Sequence, residues 1–438
     1  MTTELTKASD LLDAGDRSGA VRALRSAVDS VPSAELAPLV GRLAESAGLD
    51  DLAGAAAALV AAPERAGALY DFGYACVGRG LAFLAVPALT EALDRCLSPR
   101  RGILGLGRDR RLPSTLTVVQ ELATALEDEE RHAAAADLLA RHDDLLADWP
   151  GRYLRVYNAL MDGRPEEAAA LFDRLAAPDG TWQPAADRIR RSLARTTAAA
   201  PADRSDLRGW HFALTGGILT TLSPYGFRAG MNGRWGYLQL GYESLRYGLE
   251  RLRTVLDAAG TAPRAVALLP DRNSRILGLA AAGLFGLPAE EYRPGAEDTL
   301  VVAYDLNEAD REVLRGLHRR EPGQILFEHA TCWTDTPVVS ADVCTLLAQV
   351  AVAPWEATLR VDPETQQVEK TAPDERPAEE IAEDIRTAAP VADEGDGETP
   401  SDPDETLAAF TTRIRTTWLH GPRDRVRSAG PVRSSRFH

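Results

Sequence analysis

The sequence predicts three parts in order: a mainly helical domain at 1–200, a small α/β domain at 205–355 with a short parallel sheet, and a disordered charged tail at 356–438. A helical apolar period with a recurring turn signal indicates the first part. Three short apolar runs separated by helical patterns indicate the second. The tail is rich in acid, Pro, Thr and Gly. Such a segment cannot bury enough apolar area to offset the entropy lost on ordering.

Composition and charge narrow the classes of function. The chain has 438 residues and a formal net charge of −16, with 45% hydrophobic and 26% charged residues, as in an ordinary globular protein. Residues 362–405 carry −13 and residues 406–438 carry +6, so the body carries −9. A mildly acidic body argues against broad binding to nucleic-acid phosphates. The Arg-rich end at 421–438 is predicted to be unstructured and to pair with the acidic segment before it; a weaker alternative is that it contacts nucleic acid.

The N-terminal segment and the cysteines indicate in which cellular compartment the protein is expected. Residues 1–7 lack the basic region of a signal peptide, and no apolar run reaches about 18 residues. The four cysteines form no disulfide framework and no paired Cys-x-x-Cys set. We therefore expect a cytoplasmic protein that does not associate with membranes.

A turn signal recurs along the helical part. It falls at Gly15, Gly48, Gly80, Glu129 and Gly163, and small or apolar residues at helical spacing follow each turn. The steps between turns are close to 33 residues, apart from one longer step that contains an insertion at 100–114. This pattern predicts successive helix pairs joined by tight turns.

The recurrence resembles tetratricopeptide repeats, whose period is about 34 residues. The small turn residue, the small residue five positions on and the closing proline carry the resemblance, as in Gly15, Ala20 and Pro32. Large aromatic residues of the first helix are only partly present, at Tyr70, Tyr74 and Tyr157. The resemblance implies a stacked solenoid whose pairs share a core and bind a protein or peptide. A second interpretation is that the repeats mainly cover the following domain.

A glycine-rich run at 102–107 looks like a phosphate loop, but it follows no predicted strand and lacks a Lys-Ser/Thr pair. We interpret it as a loop between repeats. Its arginines are available to contact the acidic tail; they are Arg100, Arg101, Arg108, Arg110 and Arg111.

Strands and helices alternate in the second part. Strands are predicted at 211–221, 265–269, 300–304 and 324–327, and helices at 237–259, 274–285, 308–319 and 340–352. This order predicts a parallel sheet with right-handed crossovers.

Ligands of such sheets bind outside the carboxyl ends of the strands, so the polar residues there are the candidate binding residues. They are Asp271, Arg272, Asn273, Ser274, Arg275, Asp305 and His329. Residues 271–275 lead into the N-terminus of the helix predicted at 274–285. Its free N–H groups, together with the two arginines, favour a small anionic ligand. Asn and Ser before a helix are also ordinary caps, so a purely structural role stays open.

The glycine-rich loop at 223–236 contains Tyr225, Arg228, Asn232 and Arg234. We expect it either to close over a ligand or to form a docking surface for the repeats. The layout is loosely similar to phosphoribosyltransferase-like folds, which cradle pyrophosphate. Their two acids and Thr-Gly loop are replaced here by the sequence at 304–308, which argues against active phosphoribosyl transfer.

No catalytic residue, metal or cofactor is assigned from the sequence. His211 and His329 are candidate general bases, and Asp271 with Asp305 is a candidate carboxylate pair. The spacing of His329, Cys332 and Cys344 matches no standard zinc site, so buried thiols with a hydrogen-bonded histidine are predicted instead.

The leading hypothesis is an adaptor that binds proteins through its helical repeats, and enzymatic activity stays undecided with the balance against it. The alternative is a nucleotide- or sugar-phosphate-binding domain, a degenerate enzyme among the options, regulated by the repeats. In the tail, helices are predicted at 377–386 and 405–419, the second as an amphipathic partner helix.

Overall fold

The computed structural model describes residues 3–98, 113–225, 230–361, 368–392, 394–397 and 402–433. The predicted glycine-rich insertion, its arginines and Arg228 lie outside the described residues. The chain divides into two units, Met1–Gln183 and Pro184–Phe437. The second unit therefore begins before residue 205, and it includes the segment after 356, which the sequence analysis placed in a separate tail.

The first unit is helical. Its helices are α1 (Thr3–Asp13), α2 (Arg17–Ala27), α3 (Ser33–Ser46), α4 (Asp50–Ala61), α5 (Ala66–Gly78), α6 (Ala82–Leu97), α7 (Thr115–Asp128), α8 (His132–Arg141), α9 (Tyr153–Met161) and α10 (Pro165–Phe172). Consecutive helices pack in pairs, α1 on α2 through α9 on α10. One apolar cluster runs from Leu5 to Leu146, so neighbouring pairs share a core.

The turns between paired helices have a left-handed residue. Gly15, Gly48, Gly80 and Gly163 all have φ between +68° and +80°. Glycine adopts this region without the steric cost that a Cβ imposes, which is why the turns are visible in the sequence. The fourth turn has its left-handed residue at Glu130, with φ +54°, one position after the predicted turn.

Two glycines beside one turn give a matched test of this requirement. A Cβ at either Gly80 or Gly78 would meet nothing within 4 Å, but only Gly80 has a positive φ, +71°. Gly80→Ala is therefore expected to lower the free energy of unfolding by about 1 kcal/mol through backbone strain alone. Gly78→Ala, at the end of a helix, is expected to be neutral or slightly stabilising. Urea unfolding of both variants checks the difference, and equal effects would show that the turn conformation costs nothing.

The second unit is an α/β fold. Its elements are α11 (Gln183–Ala199), α12 (Leu207–Thr215), β1 (Ile218–Leu219), β2 (Trp235–Gln239), α13 (Tyr242–Ala259), β3 (Ala265–Leu268), α14 (Arg272–Phe285), β4 (Ala289–Glu291), β5 (Thr299–Ala303), α15 (Arg311–His318), β6 (Ile325–Thr331), β7 (Val343–Val352), β8 (Leu359–Val361), β9 (Val368–Lys370), α16 (Ala378–Thr387) and α17 (Asp404–Ile414).

The predicted parallel sheet is present, and it has seven strands in the order β1-β7-β6-β5-β3-β4, with β2 also on β7. Every pair in it is parallel. Strand β1 pairs with the beginning of β7, and β2 pairs with its second half. Strands β3, β5 and β6 lie where the apolar runs predicted them. The remaining strands, β8 and β9, form a separate antiparallel pair.

Helices α13 and α14 pack on the sheet. A Cβ at Gly278 of α14 would lie 2.7 Å from Leu268, and one at Gly248 of α13 would lie 2.8 Å from the His329 ring. Glycine at these positions therefore allows each helix to approach the strands closely. Helix α16 packs on α13 and α14, and α17 packs on α13.

The segment after residue 356 is only partly as predicted. Both helices expected there are present, but their apolar residues belong to the core around the sheet; these are Ile381, Ile385, Leu407, Phe410 and Ile414. The amphipathic helix predicted to bind a partner therefore packs within its own unit. Further along the chain, Arg423 is fully buried although the residues next to it in sequence form no helix or strand.

Two predicted elements are wrong. Residues 340–352 were predicted as a helix but form strand β7, most of which is buried. A strand buried on both faces has a continuous apolar run, which periodicity cannot distinguish from a buried helix. Residues 211–221 were predicted as a strand but begin within α12, which Asp206 caps by accepting from the Gly209 amide at 2.9 Å. Gly216, at φ +81°, ends that helix just before β1.

Candidate functional site

Asp271 and Ser274, two of the polar residues after β3, form hydrogen bonds that stabilise the start of α14. Asp271 caps α14 by accepting from the Ser274 amide at 2.8 Å. The Ser274 hydroxyl in turn accepts from the Tyr304 amide at 3.0 Å, at the end of β5. The cap of α14 is therefore Asp271 and not Asn273 or Ser274, the residues that the sequence suggested as caps. The side chains of Asp271 and Ser274 join the first turn of α14 to the neighbouring strand.

Asn273 is the centre of a hydrogen-bond network. Its amide nitrogen donates to Glu308 at 2.9 Å and to Glu356 at 3.2 Å. Its amide oxygen accepts from the Trp355 indole at 2.6 Å. Glu356 also accepts from the Ala353 amide at 2.8 Å. This network connects α14 to the segment that follows β7.

The two arginines predicted to hold an anion are bonded to other groups. Arg272 donates to the backbone carbonyls of Asp374 and Arg376, at 2.7 Å and 3.1 Å. Arg275 forms an ion pair with Glu291 at 2.8 Å. Both side chains are therefore already engaged within the chain, through one nitrogen of each guanidinium.

Carboxylates dominate the electrostatics of the strand ends. Burial, and then the charges of Asp271 and Asp335, raise the pKa of Asp305. Partial burial raises the pKa of Glu308 to about 6, although the residue keeps an exposed surface. Complete burial, and then the charge of Asp305, raise the pKa of Glu328 well above its usual value. Those of the gathered carboxyls that are ionised repel an anion, so the anionic ligand stays a prediction with little support from this geometry.

Carboxylates are also the ligands preferred by hard cations. At these strand ends, however, each accepts hydrogen bonds from its own chain. Asp305 accepts from the Asn307 amide at 2.8 Å, and Glu328 accepts from the Leu306 amide at 2.8 Å and from the Thr331 hydroxyl. Across the residues that the structure describes, no group of three or more His, Cys, Asp or Glu is arranged to hold a metal ion. In chemical terms, Glu308 is the group whose pKa suits proton exchange near neutral pH.

His329 lies in the core instead of at the strand ends, because β6 continues to Thr331. Its ring is fully buried and stacks on Tyr304 with centroids 5.9 Å apart. Neither ring nitrogen has a hydrogen-bond partner among the described residues. Burial lowers the pKa of His329 to about 3, so the ring is neutral at physiological pH. Its burial keeps it from acting as the predicted general base on a substrate.

The histidine that contacts a cysteine is His211, on α12. Its Nε2 lies 3.7 Å from the Sγ of Cys344, on β7. Burial, and then the charge of Arg234, lower the pKa of His211 to about 4. Burial also raises the pKa of the Cys344 thiol. A protonated thiol therefore lies within hydrogen-bond distance of a neutral imidazole, as in the predicted arrangement, except that the partner is His211 instead of His329.

The described residues of the loop at 223–236 do not converge on Asp271. Tyr225 is exposed, and the Asn232 amide donates to the Arg433 carbonyl. Arg234 is buried, with its guanidinium 5.6 Å from the centre of the Trp333 ring. The sequence analysis did not select Glu308, Glu328 or Glu356, because nothing in the local sequence shows that they are close to one another.

In the first unit, an exposed tyrosine stacks on a partly buried one and forms an aromatic surface. Tyr70 and Tyr74 lie one turn apart on α5 and stack with centroids 6.0 Å apart, and Tyr74 is 56% exposed. Burial raises the pKa of Tyr70 to about 12, and the nearby charges of Glu121 on α7 and of Asp71 add to this effect. The surface is therefore both aromatic and acidic.

Comparisons with known proteins add no identity. No protein-family model, curated protein or solved structure matches the chain. Within the described residues, no helix has the length and apolar content needed to cross a membrane. All four cysteines are free thiols.

Proposed function

We propose that the first unit is a tetratricopeptide-like solenoid that binds a peptide segment of another protein, and that the chain is a cytoplasmic adaptor. The observation that carries this proposal is the exposed ring of Tyr74, which stacks on the partly buried Tyr70 on α5. Tyrosine is enriched at protein interfaces because its rigid ring contributes contact area at a low cost in side-chain entropy. The shared core of the helix pairs supports the solenoid.

The charge around the two tyrosines favours one class of peptide. Asp71 and Glu121 place negative charge beside the Tyr70 ring. A lysine or arginine of the partner would gain both from these carboxylates and from a cation–π contact with the tyrosine faces. We therefore propose a peptide that carries a basic residue next to an apolar one.

The test uses the full chain and a displayed library of random peptides. Selected peptides are expected to be enriched in Lys or Arg. One of them, synthesised on its own, is expected to bind the Tyr74→Ala variant at least about tenfold more weakly than it binds the unmodified chain. Val60→Ala is the matched control. Val60 is also an exposed apolar residue, at 48%, but it lies on α4, the second helix of its pair, whereas α5 is the first helix of the next pair. This variant is expected to bind as the unmodified chain does. Absence of any enriched peptide, or equal losses in both variants, would count against the proposal.

Nucleotide or sugar-phosphate binding by the second unit is the weaker proposal. The carboxylates at the strand ends and the occupied arginines oppose it. It keeps a direct test: a saturable rise in Tm with a nucleotide or sugar phosphate that Arg272→Ala abolishes would support it.

A further inference from the structure

A partly open cavity lies in the second unit. It is lined by α12, the segment between β6 and β7, the beginning of β7 and the chain at 426–429. Thr331, one of its lining residues, donates to Glu328 at the strand ends. The volume of the cavity, counted as the space open to the centres of waters, is about 70 Å³. A single water needs about 10–15 Å³ of such space, so the cavity has room for more than one water or for a small organic molecule.

The wall of this cavity is apolar with one permanent charge. Leu214, Trp333 and Leu347 are among its apolar residues, and Arg234 supplies the charge. Of the described residues that line the cavity, none is acidic. His211 also lines it, but the lowered pKa of His211, about 4, leaves its ring neutral at physiological pH. The electrostatic environment is therefore positive at one place and apolar elsewhere.

Several hydroxyl groups at the wall are already used. The Thr215 hydroxyl donates to the His211 carbonyl at 2.7 Å, and the Ser340 hydroxyl donates to the Asp424 carbonyl at 2.7 Å. A strongly hydrated anion such as phosphate, which needs donors on all sides, would therefore lose more hydration than this wall replaces. A carboxylate needs donors at one end only, and an arginine provides them as a planar pair.

We propose that this cavity binds a short-chain aliphatic carboxylate, with the carboxylate group at Arg234 and the hydrocarbon chain against the leucines. Stacking on Trp333 holds the guanidinium in place before the ligand enters, which reduces the entropy that binding costs. Because the cavity belongs to the second unit, the proposal is independent of peptide binding by the helical repeats.

The test measures binding of propionate and butyrate to the full chain by calorimetry at constant ionic strength. Propionamide and butyramide have nearly the same shape without the charge. The acids are expected to bind saturably and the amides at least about tenfold more weakly, because the charged hydrogen bonds are lost. Equal binding of acid and amide, or no saturable binding of either acid, would overturn the proposal.

Two variants locate the ligand. Arg234→Met is expected to weaken propionate binding at least about tenfold, while Arg264→Met, which removes an arginine of the same unit that is 84% exposed, is expected to change nothing. Equal losses in both would overturn the assignment. If Arg234→Met does not fold, Cys344→Ala provides a second measurement, since a shorter side chain at this position enlarges the cavity near His211. It is expected to shift the preference from propionate toward longer acids, and an unchanged preference would place the ligand elsewhere.

Discussion

Replacing Arg423 with methionine is expected to lower the free energy of unfolding of the second unit by about 3–5 kcal/mol, because it removes one partner of a buried ion pair. Arg423 is 0% exposed at its side chain, and Asp342 is 1% exposed. The guanidinium donates to Asp342 Oδ2 from two nitrogens, at 3.0 Å and 2.7 Å. It also donates to the Leu317 carbonyl and to the Gln324 side chain. Methionine leaves all of these acceptors without that donor in a region closed to water.

Asp342 depends on its two arginines for its charge. Burial by itself would raise the pKa of Asp342, but Arg423 and Arg320 outweigh it, and the pKa lies below its usual value. A carboxyl with a lowered folded-state pKa stabilises the fold above its unfolded pKa and loses this contribution as the pH falls through the folded value. The penalty of Arg423→Met is therefore expected to be largest near neutral pH and to shrink in acid.

The chain offers a matched control for this experiment. Arg425, two residues on, pairs with Asp335 at 3.4 Å, and both side chains are more exposed, at 32% and 84%. Arg425→Met is expected to cost less than about 1 kcal/mol. Urea unfolding followed by tryptophan fluorescence suits both variants, since the Trp418 indole donates to the Asp342 carbonyl at 3.0 Å. A cost for Arg423→Met no larger than the control would show that the buried pair contributes little.

Glu328→Gln is expected to stabilise the second unit, and increasingly so as the pH rises. Glu328 is fully buried, and its pKa is raised well above its usual value by burial and then by Asp305. A group with a raised folded-state pKa contributes stability that is complete below its unfolded pKa and is lost as the pH rises through the folded value. In this window the unmodified chain loses up to about 1.4 kcal/mol per pH unit, and the variant avoids that loss.

Glutamine preserves the local hydrogen bonds at this position. Its amide oxygen still accepts from the Leu306 amide, and its amide nitrogen can donate to the Thr331 hydroxyl. Thermal unfolding at pH 5, 6, 7 and 8 measures the difference between variant and unmodified chain. Glu291→Gln, at an exposed position, serves as the control and is expected to show nearly no pH dependence. A stability difference for Glu328→Gln that is constant from pH 5 to 8 would refute the buried-carboxyl account.

Several elements of the second unit could be predicted from residues close together in the sequence. Strands β3, β5 and β6 are apolar runs bounded by turn residues. The helix after β3 was also predicted, but its cap is Asp271 and not the suggested Asn273 or Ser274. Strand β7 has no such signal, because it is buried between β6 on one edge and β1 and β2 in succession, and a fully buried strand loses its alternation. Its strand conformation depends on hydrogen bonds to partners about 15 to more than 100 residues away.

Some residues of the candidate site could likewise be predicted from the sequence, and others could not. The polar residues after β3 and β5 were found from the rule that ligands bind at the carboxyl ends of parallel strands, and the structure places Asp271, Asn273 and Asp305 there. The rule does not reveal which sign of charge accumulates. Glu308, Glu328 and Glu356 approach these residues only after folding, and they make the strand ends acidic.

By itself, the sequence determined the helical first unit, the positions of most of its tight turns and the parallel character of the sheet. Each of these follows from the periodicity of apolar residues or from the backbone freedom of glycine, which act over a few residues. Only the tertiary structure decided that Arg423 is buried against Asp342, that His211 rather than His329 contacts Cys344, and that Arg234 lines a cavity. Burial and charge pairing depend on residues distant in the chain, and local sequence carries no record of which of them will meet.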